Sequence, residues 1–150
     1  MEPKITMSEI KNWQSLDKMD SADSELYKNR IKGAYEVELP HRKLVLIPYV
    51  GLQESVVYEY PELVALCPVT FFPDIYSVKI TIVPNKIIPE LKSLKFYYMD
   101  YYHLPISHEH LASKIYYDIR SQVNPLSMKL ELVANVRGGI ASTVHIGDGF

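Results

Sequence analysis

The chain has one cysteine, and it opens the segment Cys67-Pro-Val-Thr-Phe-Phe-Pro-Asp74. A thiolate is a strong nucleophile, and a nearby carboxyl group can deliver or accept the proton that a covalent reaction moves. The thiol must then lie where its surroundings favour the thiolate. The same residues also suit a simpler interpretation, in which Cys67 is a small buried apolar residue and Asp74 belongs to a turn after Pro73. The spacing alone therefore indicates a candidate catalytic pair and leaves both interpretations open.

A pair of lysines occurs in Glu90-Leu-Lys-Ser-Leu-Lys95. Lys92 and Lys95 are three positions apart, so they share one face of a helix. Two ammonium groups near the start of a helix can hold phosphate groups. The alternative is the ordinary solvated face of a surface helix.

A histidine and a glutamate, His108 and Glu109, open a second helical segment. A carboxylate accepts a bidentate pair of hydrogen bonds and can anchor a guanine-like ring, while histidine titrates in the range that suits proton transfer. A glutamate is also favoured in a first helical turn for electrostatic reasons alone. Further along, Arg137-Gly138-Gly139 predicts a tight turn, and an arginine beside bare backbone can receive a phosphate.

The composition is that of an ordinary globular domain. The chain has 150 residues, 47% of them apolar and 23% charged, with a formal charge of −2. This length predicts a single domain, and the charge does not favour general polyanion binding. A lone cysteine cannot form an internal disulfide, and no apolar run reaches the ~18 residues of a membrane span. We therefore expect a cytoplasmic protein that binds no membrane. We also expect no metal site.

The periodicity of the sequence changes from β to helical and back again. Alternating apolar residues at Val78, Ile80 and Ile82 predict the clearest strand, and Pro48 and Pro61 predict edges or bulges. Helices are expected from Pro89, at a favoured first-turn position, and after a capping Ser107. The expected order is strand, strand, helix, helix, strand, strand. The β-rich segments 43–50 and 56–67 come before the strand at 75–83, and the strands at 128–136 and 140–146 follow the helices.

The first 33 residues differ from the rest, being rich in Lys, Asp, Ser and Met. We expect residues 1–33 to form an N-terminal arm or accessory helix, in which Ser8 caps a turn carrying Ile10, Trp13 and Leu16. Residues 34–150 are expected to form the catalytic domain. The 12 tyrosines of the chain predict core packing and large subunit contacts.

Taken together, these motifs resemble the short form of the QueF-type nitrile reductases. That family carries Cys-Pro-x-Thr followed by Pro-Asp, a Glu-x-Lys-x-apolar-Lys signature, a His-Glu pair that opens the next helix, and Arg-Gly-Gly. This chain has the same four features at residues 67–74, 90–95, 108–109 and 137–139. The resemblance covers roughly residues 57–143.

The resemblance implies an α+β tunnelling fold, in which each subunit supplies a four-stranded antiparallel sheet with two helices inserted between strands 2 and 3. Subunits would pair their sheets into an oligomeric barrel of stacked rings, such as a decamer. The implied activity is the NADPH-dependent reduction of 7-cyano-7-deazaguanine, a small-molecule deazapurine, to its 7-aminomethyl form in the queuosine pathway. The substrate would pass through a thioimide on the cysteine.

Residue roles carried over from the family are expectations as well. Cys67 would be the nucleophile, with Asp74 and His108 handling protons. Glu109 would anchor the substrate ring, and Glu90 would contact substrate from a neighbouring subunit. The phosphates of NADPH would be bound by Lys92, Lys95 and Arg137.

Departures from the family pattern keep other interpretations open. Tyr102-His103 stands where an Arg-Asn pair is expected, and Ser107 where an aromatic residue is expected. One alternative is a QueF-like amidinotransferase that adds ammonia to the nitrile base in tRNA to form archaeosine, and tRNA would be a partner only in that case. A second alternative is a non-catalytic purine-binding module on the same fold. The intact lysine signature favours the reductase, and Cys67 with Asp74 disfavours the binding module.

Overall fold

A computed structural model describes residues 22–149 of the chain. It has an α+β architecture, as expected. A short 3-10 helix at Asp100–His103 comes after the second α-helix. The helices and strands, in chain order, are α1 (Ala22–Glu36), β1 (Leu46–Pro48), β2 (Val56–Leu66), β3 (Pro73–Val83), β4 (Ile87–Pro89), α2 (Leu91–Met99), α3 (His108–Val123), β5 (Ser127–Arg137) and β6 (Ile140–Gly147).

The main sheet has four antiparallel strands in the order β2-β3-β5-β6. Val78, Ile80 and Ile82 are buried on one face of β3, whereas Lys79 pairs with Glu131 on the other face. The alternation predicted for this strand is therefore confirmed, because successive side chains of a strand point to opposite faces. β2 and β6 form the two edges, so the sheet of a single chain is open.

Both inserted helices lie between β3 and β5 in the chain, which confirms the predicted element order. The Ser107 hydroxyl accepts a hydrogen bond from the His110 backbone N–H and caps α3. Leu111, Ile115 and Ile119 are fully buried on that helix, as their spacing predicted. These side chains and the apolar face of the sheet form one core.

Proline 61 coincides with a break in the strand register. The pairing of β2 with β3 shifts between Tyr60 and Leu63, on a strand that forms an edge of the sheet. Since proline cannot donate a ladder hydrogen bond, it is confined to such positions. The prediction of an edge or bulge at this proline is confirmed.

Two predicted boundaries were wrong. The first strand is limited to Leu46–Pro48 and pairs with Ile87–Pro89 in a separate two-stranded sheet, which the sequence did not suggest. The first inserted helix does not begin at Pro89, because this residue pairs with Leu46 in β4. Glu90 is the N-cap instead, and its carboxylate accepts hydrogen bonds from the backbone N–H groups of Lys92 and Ser93.

The N-terminal part is described only from residue 22 onward, so the predicted turn around Trp13 lies outside the described residues. Helix α1 continues past residue 33 to Glu36, with Ala34 and Tyr35 buried. The domain boundary at 33/34 stays a prediction. Within residues 22–149, no helix is long and apolar enough to cross a membrane.

A buried carboxylate joins three elements of the structure. Asp118 of α3 is fully buried; it accepts hydrogen bonds from Arg42 Nε at 3.0 Å and from the Tyr97 hydroxyl at 2.8 Å. Lys114 Nζ lies 4.0 Å from the same carboxylate and is itself almost fully buried. Because a buried charge is costly unless it is paired, these contacts link α3 to α2 and to the segment that carries Arg42.

We expect Asp118→Asn to lower the free energy of unfolding by about 3–5 kcal/mol, since it weakens a buried set of ion pairs at nearly constant volume. The matched control is Glu131→Gln, which weakens the half-exposed pairs of Glu131 with Lys79 (N···O 3.0 Å) and His145 (N···O 3.6 Å) and should cost less than about 1 kcal/mol. Urea denaturation of both variants measures the two losses. Equal losses would contradict the structural role given to Asp118.

Candidate active site

The end of β2 is tied to the segment that precedes α3. The Leu66 backbone N–H donates to the Leu104 carbonyl at 2.9 Å, and the Leu66 carbonyl accepts from the Ile106 N–H at 3.0 Å. This is a short parallel bridge at a strand edge. As a result, Cys67 at the end of β2 and His108 at the start of α3 lie at the same place in the fold.

A tight turn comes directly after Cys67. The Phe71 N–H donates to the Cys67 carbonyl at 2.9 Å, and the Cys67 N–H donates to the Phe72 carbonyl at 2.8 Å. Phe71 has a φ of 60°, in the left-handed region that residues other than glycine rarely adopt. The turn returns the chain directly into β3, where Asp74 is the second residue.

Three of the predicted catalytic residues line one cleft of about 450 Å³. Cys67 and Asp74 come from the β2–β3 connection, and His108 comes from α3. Asp74 is 8% exposed, and its Oδ2 lies 3.9 Å from His108 Nε2. That distance suits an ion pair rather than a direct hydrogen bond. The remaining wall is formed by Pro73, Ile75, Ala134, Asn135, Val136, Ile140 and Ser142.

The surroundings of the thiol favour its ionised form. Burial acts to raise the pKa of Cys67, but hydrogen bonds from Thr70, through its hydroxyl and its backbone N–H, outweigh it. The Val69 backbone N–H also points at Sγ, at 3.4 Å, and the charge of Asp74 opposes these donors. The net pKa of Cys67 is lowered, which is the condition that a thiolate nucleophile needs.

Sequence reasoning missed three polar residues of this region. Thr70 lies inside the Cys-Pro-x-Thr motif, so a signal for it was present in the sequence. Asn135 and Ser142 line the cleft from β5 and β6. The pairing of β5 with β6 shifts register between Ala134 and Arg137, and Asn135 lies in this bulge. No periodic pattern in the sequence predicts the bulge.

The two predicted substrate carboxylates do not lie in this cleft of the single chain. Glu109 is exposed in the first turn of α3 and is not among the residues that line the cleft. The Glu90 carboxylate caps α2, at 2.9 Å from the Lys92 N–H and 2.8 Å from the Ser93 N–H. Their roles toward a substrate stay predictions.

The lysines of α2 belong to a different region. Lys92 and Lys95 are both exposed, and Lys95 lines a second cleft of about 320 Å³ between α2 and β2. Tyr60 and Tyr98 stack there with ring centroids 5.0 Å apart. Tyr98 is 3% exposed, so its ring packs within the protein, and the role of the two lysines toward a cofactor stays a prediction.

The two clefts lie at opposite ends of the sheet. Lys95 packs near Tyr60, whereas Cys67 lies beyond the far end of β2. At ~3.3 Å per strand residue, roughly 20 Å separates Tyr60 from Cys67. Arg137 is at the end of β5 nearer Cys67, before Gly138 and Gly139 with φ of 61° and 84°. One chain therefore does not bring the lysine pair together with Arg137 or the thiol.

Comparison with known proteins gives the family of the chain. A family model described as QueF-like protein matches residues 73–149, which is just over half of the chain. The matched range holds all the predicted site residues except Cys67, which precedes it. A protein of Prochlorococcus marinus named NADPH-dependent 7-cyano-7-deazaguanine reductase is 32% identical over 130 residues, covering 86% of this chain and 92% of that protein. The chain belongs to the QueF-like family.

Other relatives of this QueF-like chain carry the same name. The reductase of Chloroherpeton thalassium is 39% identical over 84 residues, covering 56% of this chain and 72% of its own. That of Sulfurovum is 40% identical over 88 residues, covering 59% and 70%. The crystal structure of an archaeosine synthase QueF-Like in the apo form superposes with a TM-score of 0.59 at 21% identity, covering 64% of this chain and 94% of that one. This likeness shows the shared fold, and it confirms the predicted tunnelling-fold class.

We expect Thr70→Val to raise the pKa of the Cys67 thiol in this QueF-like chain, because the variant removes a hydroxyl that stabilises the thiolate. At a pH below the thiol pKa, alkylation by iodoacetamide should slow about threefold or more. The rate measured across pH gives the midpoint directly, and Cys67 is the only thiol of the chain.

We expect Asp74→Asn to shift the pKa of the Cys67 thiol in the opposite direction. The charge of Asp74 raises the pKa of the thiol, so its removal should lower the alkylation midpoint. A midpoint that moves in the same direction in both variants would show that general disturbance of the cleft, rather than these named interactions, controls the thiol.

Proposed function

We propose that this protein is an NADPH-dependent reductase that converts the nitrile of 7-cyano-7-deazaguanine to an aminomethyl group. The observation that carries the proposal is the set of relatives with this name, one of them aligned over 92% of its length at 32% identity. The joint placement of Cys67, Asp74 and His108 in one cleft supports it. The protein is thus an oxidoreductase with NADPH as its cofactor.

The first chemical step suits the cleft. The Cys67 thiolate attacks the nitrile carbon, a carbon–sulfur bond forms, and one π bond of the nitrile opens onto nitrogen. That nitrogen takes a proton and leaves a thioimide on the enzyme. The Asp74–His108 pair, with Oδ2 and Nε2 3.9 Å apart, is placed to supply that proton: protonated His108 carries it, and the Asp74 carboxylate stabilises the imidazolium.

Completion of the reaction requires two hydrides and further protons. NADPH supplies the hydrides when bound. The chain's own residues hold the thioimide and deliver protons to the substrate nitrogen through Asp74 and His108. Before the product can leave, the carbon–sulfur bond breaks and its electron pair returns to Cys67, which becomes a thiolate again. The hydrogen bonds from Thr70 and Val69 to Sγ make the thiolate a better leaving group, since they stabilise it.

The remaining roles require a second copy of the chain. Lys92, Lys95 and Arg137 are proposed to hold the phosphates of NADPH, and Glu109 and Glu90 to contact the deazapurine. The separation of the two clefts supports a site built between subunits of a homo-oligomer, in stacked rings as the tunnelling fold implies. The thiol nucleophile suits a reducing compartment, so we place the enzyme in the cytoplasm.

The second candidate is the amidinotransferase that acts on the nitrile base in tRNA. What favours it is Tyr102-His103, both exposed, where the reductase pattern has Arg-Asn and so the positive charge of an arginine. Both reactions begin with the same attack by Cys67, so they differ only in the steps after the adduct has formed.

The deciding measurement gives the protein the free nitrile base with NADPH and, separately, nitrile-bearing tRNA with ammonia. We expect NADPH to be consumed with the free base, and Cys67→Ala to abolish both this consumption and the covalent adduct seen by mass spectrometry. Amidine formation on tRNA without NADPH consumption would replace the reductase by the second candidate. An adduct that survives Cys67→Ala would refute the nucleophile.

The lysine pair is tested by charge removal. Lys95→Gln should raise the KM for NADPH roughly tenfold at low salt, because one charge-assisted contact to phosphate is lost. The difference from the parent enzyme should shrink as salt is added, since salt screens exposed charges. Lys86→Gln, at an exposed turn before β4, is the control with the same charge change. A KM raised equally by both variants would remove Lys95 from the site.

A further inference from the structure

An arginine of the N-terminal helix reaches the turn after Cys67. Arg30 of α1 donates a hydrogen bond from Nη1 to the carbonyl oxygen of Pro68. Its guanidinium carbon also lies 4.7 Å from the ring centroid of Phe71. A planar guanidinium can make both contacts at once, in-plane with its N–H groups and face-on with its π surface.

The carbonyl that Arg30 binds belongs to the peptide unit between Pro68 and Val69. This unit is planar and trans, so its C=O and N–H point to opposite sides. The N–H of the same unit, from Val69, points at Cys67 Sγ at 3.4 Å. A donor that fixes the oxygen therefore fixes the direction of the N–H that faces the sulfur.

We propose that Arg30 is a positioning residue that holds the Pro68–Val69 peptide so that the Val69 N–H donates to the sulfur of Cys67. The proposal rests on the proposed function in taking Cys67 as the nucleophile. Arg30 is a charged donor, so its bond to the carbonyl also polarises the peptide and strengthens the N–H as a donor. It acts on the thiolate through one peptide unit.

The helix that carries Arg30 is fixed to the body of the protein. Tyr35 is 4% exposed, and its hydroxyl donates to the His110 carbonyl at 3.3 Å. The rings of Tyr35 and His110 meet edge to face with centroids 5.6 Å apart. Since α1 is anchored on α3 just over one helical turn beyond Arg30, the guanidinium has a fixed base from which to hold the turn.

Two other titratable groups line the cleft with Cys67. These are Asp74 from β3 and His108 from α3. Asp74 opposes the thiolate by its charge, whereas Arg30 is bound to the Pro68 carbonyl on the other side of the peptide. A change made at Arg30 therefore reports on the peptide rather than on the acid–base pair.

The test is the pH profile of Cys67 alkylation by iodoacetamide, measured on the full chain without substrate. Arg30→Gln should move the midpoint to higher pH and slow alkylation below it about threefold, because one donor to the thiolate is misdirected. Arg30→Lys keeps a charged donor and should lie between Arg30→Gln and the parent. Lys32→Gln, exposed on the same helix, makes the same charge change and should coincide with the parent.

An Arg30→Gln profile that coincides with the parent would overturn the proposal. So would a Lys32→Gln profile shifted as far as that of Arg30→Gln, since helix charge would then be the cause. Should Arg30→Gln fail to fold, Phe71→Leu removes the ring beneath the guanidinium at a half-exposed position and must shift the midpoint in the same direction; a coincident profile would again refute the role of Arg30. Alkylation requires no nitrile or NADPH, so loss of the reductase activity leaves this result intact.

Discussion

The arrangement of the site depends on the two backbone hydrogen bonds of Leu66. Leu66 ends an edge strand, where its N–H and C=O have no further strand to pair with on the outer side. Both groups bind Leu104 and Ile106 instead. An edge strand must satisfy or cover such groups, and here the covering segment is the one that leads into α3. The thiol at the end of β2 and the imidazole at the start of α3 meet because of these two hydrogen bonds.

Local physical rules explain why much of the fold could be predicted from the sequence. Period-two alternation on β3 and the Ser107 cap of α3 act within a few residues, so both were found. The short β1–β4 pair was missed because its three-residue strands carry too little pattern. The helix start at Pro89 was misplaced because Glu90, rather than an expected Ser, Thr, Asp or Asn, provides the cap.

The candidate site was less accessible to sequence reasoning alone. The spacing of Cys67 and His108 does not predict the backbone bridge that brings them together. Only the resemblance to a family grouped these two residues in one site. Asn135 depends on a bulge, and Arg30 reaches Pro68 across 38 positions of the chain. Such contacts result from the packing of α1 and the ends of the strands, which no local window of sequence contains.

Phe71, in the turn after Cys67, adopts a backbone conformation that costs stability. A left-handed φ of 60° costs a residue with a side chain about 1–2 kcal/mol, a penalty that glycine would avoid. Glycine would also remove the ring on which the Arg30 guanidinium rests. Selection for heat resistance alone would therefore favour glycine, whereas the proposed positioning role of Arg30 would favour the aromatic residue. On that proposal, the strained phenylalanine is a position at which adaptation to temperature and adaptation for rate conflict.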